Sequence, residues 1–268
     1  MSRSRMARVL LTAAVVAGLT VIYFPLLLVL LNSFNADTTF GWPPAHFTFE
    51  WWARAVTNAG ALHALWTSVV VGLIATAIAL VLGTSAAFAL QRYRFFGRDS
   101  VSLLITLPIA LPGIVTGIAL NNGFRAMLGV QLGFLTLVVA HATFCIVTVF
   151  NNVIARLRRT GNGLQQASMD LGANGFTTFR LVTFPLLRSA LLAGGLLAFA
   201  LSFDEIIVTQ FTIGAGMQTL PVWIMDNLSR PNQAPIVNVV ATVLIAISVV
   251  PVYLAQRLSG SAAAGGHR

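Results

Sequence analysis

Apolar positions gather in six long blocks, roughly Val9–Leu31, Trp66–Leu90, Val101–Leu120, Phe134–Ile154, Ser189–Thr212 and Ile236–Leu254. Polar and aromatic stretches of uneven length separate them. A helix rising 1.5 Å per residue needs about twenty residues to cross roughly 30 Å of hydrocarbon, and each block is about that long. The pattern predicts an all-α integral membrane protein with six transmembrane helices in a single domain over residues 1–268. Hydrophobic residues make up 57%, charged residues only 9%, and the mean hydropathy is +0.86. A soluble chain of this length needs far more polar surface. Arg3, Arg5 and Arg8 precede the first block in the manner of a secretory signal. That block is too long for a signal's apolar core, and no small-residue cleavage site follows, so it reads as an uncleaved span.

Within the blocks the pattern has irregularities. The third, "LLITLPIALPGIVTGIAL", carries Pro108 and Pro112, each of which removes a helical hydrogen bond, so a bent or opened helix is expected. Gly113 and Gly117 in the same block form a small-xxx-small pair suited to close helix packing, with a hinge lining a pathway as the alternative. The loop "NSFNADTTFGWPPAHFTFEWWARAVTN" offers Trp42, Trp51 and Trp52 as an interfacial belt around a short surface helix. A cation-binding aromatic box is the alternative there. The tail, 259–268, reads as disordered.

Charge adds orientation. The formal net charge is +9, every basic residue is arginine, and thirteen of the sixteen fall on one side of the six-span scheme. The excess is a positive-inside signal that puts both termini in the cytoplasm, and it argues against nucleic acid as the partner of this charge. The absence of lysine excludes a phosphate-binding P-loop, a Schiff-base site and a Ser-x-x-Lys acylating site. Cys145 stands alone in mid-span and reads as a small buried residue, without a disulfide or a metal site. Histidines 46, 63, 141 and 267 show no ligand spacing. No catalytic constellation emerges, and the chain does not read as an enzyme.

Between the fourth and fifth blocks lies "QQASMDLGANGFTTFRLVTFP", Gln165 to Pro185. Leu164, Ala167, Ser168 and Leu171 share one helical face, and Phe176, Phe179 and Val182 give a second short helix a similar stripe. Gly172, Asn174 and Gly175 allow a turn between them, and Pro185 suits the first turn of the next span. Spacing predicts a helical knob at the membrane surface, or an amphipathic loop lying on the lipid beside Arg156, Arg158 and Arg159.

This stretch resembles the signature of the permease subunits of bacterial ABC importers: Glu-Ala-Ala, three residues, Gly, and a Pro thirteen further on. Gln166, Ala167, Ser168, Gly172 and Pro185 fall at those positions. "RYRFFGR", "SFDEIIVTQF" and "TLPVWIMDNLSRPNQAPIVNVVATVLI" are similar to the spermidine/putrescine branch, in its smaller permease subunit. The resemblance implies a type I ABC importer permease bundle in the bacterial inner membrane. Residues 155–188 would then be the coupling loop, with Gln166, Ala167, Ser168, Gly172, Gly175 and Pro185 serving the contact to a cytoplasmic ATPase dimer. It also implies a second permease subunit, with a heterodimer expected, and a solute-binding protein outside. The chain itself would bind no cofactor, since ATP and magnesium belong to the ATPase. Two residues depart from the signature. Gln166 replaces glutamate and loses a charge-assisted hydrogen bond, and Ser168 replaces the second alanine.

The fifth block contains Asp204 and Glu205, and acids within a span are costly enough to face a cavity or a partner. On a continuous helix Ser202, Glu205 and Thr209 form a polar stripe, which favours Glu205 as a pathway residue. Asp204 would pair with the second permease or cap a helix break, and a purely structural role for both acids stays open. The expected solute is a polyamine, with an aminophosphonate or ferric iron as alternatives. A self-sufficient secondary transporter or channel is the alternative from another class.

Overall fold

The computed structural model describes residues 2–38, 43–44, 46–161, 163–230 and 232–264. The chain divides into two compact units, Met1–Leu62 with Trp223–Ile245, and His63–Val222 with Ala246–Arg268. The helices in order are α1 Ser2–Asn32, α2 Glu50–Ala55, α3 Ala59–Arg92, α4 Arg98–Ala110, α5 Gly113–Asn122 and α6 Phe134–Thr160. There follow α7 Gly163–Asp170, α8 Gly175–Thr178, α9 Phe184–Phe203, α10 Ile207–Thr212, α11 Leu220–Leu228 and α12 Ala234–Ala264. Among the described residues, five helices are long and apolar enough to cross a membrane, and a sixth crossing appears if α4 and the stretch Gly113–Met127 count as one bent span.

In the first unit, α1 is apolar and exposed from Met6 to Leu27. A helix apolar on every side is built for lipid or for another apolar helix. The loop after it folds back on itself. Asn35 bridges to Phe47, Trp51 donates its indole N–H to the Asn35 carbonyl at 2.8 Å, and Phe34 stacks on Trp52 at 5.3 Å. Trp51 is buried against Val239, so it is not the belt residue that its position implied. The cation over its ring is the chain's own Arg54, 4.9 Å from the centroid, which is held in turn by Glu50 one helical turn earlier. Trp42 lies outside the described residues. The short α2 is present as expected.

The second unit is organised around α6. Its buried face, including Cys145, Val149, Phe150 and Val153, packs against Ala75, Ala79 and Ala87 of α3 and Leu187 and Ala198 of α9, while Leu137 and Val138 pack against Val71 of α3. Small residues set the spacing. A Cβ on Gly83 would lie 2.8 Å from the Ile146 carbonyl, so α3 and α6 touch backbone to backbone there. Cys145 is fully buried and lies 3.3 Å from the Ala198 carbonyl.

The third span is broken as its prolines foretell. Its halves meet at 106° across Leu111–Pro112. The packing reading of Gly113 and Gly117 holds, because the half-helix after the bend lies against α10. Gly113 faces Ile207 and Gly117 faces Phe211, so α5 and α10 run side by side in the same direction. Asn121 donates to the Phe211 carbonyl, and Thr136 donates to the Thr212 carbonyl at 2.8 Å. The last helix continues through Ala264, which makes the first part of the tail helical rather than disordered, while residues 265–268 lie outside the described residues.

Candidate functional site

Two places gather the polar residues singled out in the sequence. The first is the fifth span, which is not one helix. α9 ends at Phe203, Asp204 to Ile206 leave the helical path, and α10 starts at Ile207. A break at this depth frees backbone groups that hydrocarbon cannot satisfy, so the chain must satisfy them itself. Glu205 does part of this. One carboxylate oxygen accepts the Val208 N–H at 2.9 Å, as an N-terminal cap does, and its carbonyl accepts the Thr209 hydroxyl at 2.8 Å. Asp204 occupies the end of α9, with its own N–H on the Ala200 carbonyl at 3.2 Å, and its side chain is exposed.

The continuous stripe of Ser202, Glu205 and Thr209 is therefore corrected. The break changes the helical phase between them, and Ser202 and Thr209 are buried instead of lining a surface. Both turn toward His141 of α6. Its Nδ1 lies 2.8 Å from Ser202 Oγ and its Nε2 lies 2.9 Å from Thr209 Oγ1. His141 is 1% exposed, the most enclosed polar ring in this region. Reading positions alone missed it, because its partners stand 61 and 68 residues further along. The available signal was a titratable ring inside an apolar span, where such a group needs hydrogen-bond partners.

The second place is the stretch after α6. α7 ends at Asp170, and Gly172 takes φ +88°, a left-handed conformation that costs most residues but not glycine. The Ala173 N–H then reaches the Ser168 carbonyl, closing the turn. Asn174 caps α8 by accepting the Thr177 N–H at 2.8 Å. Ser168 Oγ lies 3.1 Å from Thr178 Oγ1 and ties the two short helices together. The residue that departs from alanine thus has a structural bond of its own.

α8 does not stop before the fifth span. It runs through a π-helical turn, Phe179–Thr183, directly into α9. Pro185 sits in the first turn of α9, as its position predicts, with the π-helical turn running into that helix without a gap. Its ring would press on a carbonyl four residues back and it lacks an N–H, and the wider π turn just before it relieves both faults.

The knob's outer surface is apolar and open. Leu171 and Phe176 are 90% and 73% exposed, and Gln166, Ala167, Gly172 and Gly175 are exposed too. Beside it lies a groove of about 630 Å³ lined by Gln165, Gln166, Met169 and Phe179, with Arg92 and Tyr93 from the end of α3. Among the described residues there is no cluster of His, Cys, Asp and Glu that could hold a metal.

Residues 79–262 match the family described as binding-protein-dependent transport system inner membrane component. The chain belongs to this family. Similar curated proteins are the spermidine/putrescine transport system permease protein PotC of Escherichia coli K12, 34% identical over 89% of each chain, and that of Haemophilus influenzae, 33% identical over 89% of this chain and 91% of that one. The putrescine transport system permease protein PotI of Escherichia coli K12 is 32% identical over 85% and 83%. Among solved structures, a bacterial ABC transporter involved in import of the polysaccharide alginate aligns with a TM-score of 0.68 at 15% identity, covering 96% of this chain and 98% of that one. The MetNI methionine ABC transporter aligns at 0.57 and 18% identity, covering 76% and 94%. These likenesses give the fold as that of an ABC importer permease. The chain is thus a transmembrane transport component, and both the knob and the broken fifth span fall within the matched region.

Proposed function

We propose that this chain is the smaller permease subunit of an ATP-driven importer of polyamines of the spermidine and putrescine kind. The observation that carries the reading is the relationship to PotC, which runs through 89% of both chains and includes the knob and both broken spans. In this reading a second permease completes the path, a binding protein delivers the solute outside, and an ATPase dimer inside holds ATP and magnesium. Both termini lie in the cytoplasm, in keeping with the arginine bias. The knob docks on the ATPase through Gln166, Ala167, Ser168, Gly172 and Gly175 and through its apolar cap, Leu171 and Phe176. The helix through Pro185 carries the movement to the fifth span.

The path runs past the break in that span. A polyamine carries several positive charges, and each requires an acceptor in a passage of low dielectric. Asp204 faces outward from the break, and Glu205 uses one oxygen as a cap, leaving the second for a cation. Ser202 and Thr209 serve the site from within.

The test uses the complete importer in proteoliposomes. Gly172→Pro cannot adopt φ +88°, so substrate-stimulated ATP hydrolysis should collapse while the subunit inserts at normal levels. Survival of both hydrolysis and uptake would sink the docking role. Orientation is checked with cysteine at Thr38 and at Gly161, both exposed: an impermeant thiol reagent on intact cells should label only the first. Labelling of the second alone reverses the topology.

A further inference from the structure

We propose that His141 is a clamp that fixes the break in the fifth span, and so is a positioning residue for the acids Asp204 and Glu205. This rests on the reading of those acids as part of a cation path. Ser202 lies in the last turn of α9 and Thr209 in the first turn of α10. The two nitrogens of one imidazole therefore grip the span on either side of its interruption, at 2.8 and 2.9 Å. Thr136 and Asn121, by contrast, reach this span only at carbonyls of its second half.

The protons of this cluster can be placed by counting. A threonine hydroxyl has one proton, and that of Thr209 is given to the Glu205 carbonyl at 2.8 Å. His141 Nε2 must then carry a hydrogen and donate it to Thr209. A neutral ring leaves Nδ1 as an acceptor, so the Ser202 hydroxyl donates to it. The result is a one-way chain, Ser202 to His141 to Thr209 to the carbonyl of Glu205, in which each donor has an acceptor. Buried bonds that polarise one another in series resist distortion more than isolated ones. The carbonyl at the end of the chain belongs to the residue whose carboxylate caps α10. The clamp thereby sets where Glu205 and its neighbour Asp204 point.

Histidine suits this task because it can accept at one edge and donate at the other across a rigid ring. Asparagine reproduces the Nδ1 position alone and glutamine the Nε2 position alone. Phenylalanine fills the space and makes neither bond.

The assembled importer, with histidine labelled by ¹⁵N, is compared in lipid with its His141→Phe variant by solid-state NMR. The signals lost in the variant should be those of a neutral ring protonated at Nε2. A ring protonated at Nδ1, or a charged ring, overturns the clamp as described. In proteoliposomes His141→Phe should raise the KM for spermidine about tenfold, with less change in kcat, at equal amounts of assembled complex. His141→Gln, which keeps the Thr209 bond, should recover part of the loss. A KM within twofold of the parent overturns the positioning role. If His141→Phe fails to assemble, Ser202→Ala and Thr209→Val remove the partners and leave the ring, and the same KM rise is required of them. Normal uptake by both Asp204→Asn and Glu205→Gln removes the path reading alone, and the imidazole signals then still decide the clamp.

Discussion

The third and fifth spans are both interrupted, and the two interruptions have different causes. In the third, Pro112 restricts the residue before it, and Leu111 is extended at φ −81° and ψ 144°. Pro112 then starts the next half-helix, where its missing N–H costs nothing. The bend is written into covalent geometry at one position. The fifth span breaks at "DEI", with neither proline nor glycine. Its break is held by a carboxylate folded back as a cap, by a hydroxyl on a carbonyl, and by a histidine from α6. The first kind of break can form in isolation. The second combines two bonds within the segment with a side chain supplied by the surrounding bundle. A rigid bend and a tertiary-held bend lie side by side, α5 against α10, and in the proposed importer the second carries the acids.

The most severe way to break this arrangement is to push the two half-helices apart. A Cβ on Gly117 would stand 2.6 Å from Phe211 Cδ2, well inside van der Waals contact. Gly117→Leu should cost at least about 1–3 kcal/mol by overpacking. The purified complex should show a lower Tm and a reduced yield. An unchanged Tm would mean that α5 and α10 do not meet at this point.

These two regions also divide what the sequence made legible from what it did not. The six apolar blocks and the bend at Pro112 could be read directly, because length and proline chemistry are local. The knob was legible for the same reason, since Gly172 and Asn174 are turn and cap residues at their own positions. The polar stripe through Glu205 was misread because a 3.6-residue period holds only while the helix is unbroken. His141 went unassigned because its meaning depends on two hydroxyls in a different span. Trp51 was placed at the lipid interface by its type, whereas its indole N–H closes a loop 16 residues away. Local chemistry was visible, and bonds between distant segments were not.

A milder change sharpens the contrast by removing the local cause alone. Pro112→Ala frees Leu111 and returns entropy to the unfolded chain, costing about 0.4–1 kcal/mol. Spin labels at Leu103 and Ile118, both exposed and on opposite sides of the bend, should give a broader distance distribution. Labels across the fifth-span break should be unaffected, because no proline holds it. If both distributions broaden together, the two breaks are one mechanical unit and the distinction between them falls.

The smallest effect is expected at Gly113, and it tests the geometry most finely. Gly113 and Gly117 are four residues apart on one helical face, so the sequence treats them as equivalent. The structure does not. A Cβ at Gly113 would lie 3.5 Å from Ile207 Cβ, an ordinary contact, whereas one at Gly117 would lie 3.1 Å from Phe211 Cβ and 2.6 Å from its ring. The helices are therefore slightly further apart at the start of α5 than one turn later. Gly113→Ala also reduces the backbone entropy lost on folding, which offsets any small strain. The net change should lie within about 0.5 kcal/mol. Gly117→Ala should be distinctly worse, since Phe211 must move to admit even a methyl group. Measured side by side in thermal unfolding of the complex, the two alanines should separate in that order. Equal losses would mean that α5 and α10 lie parallel and evenly spaced, and that the bend at Pro112 leaves no gap between its first turn and Ile207.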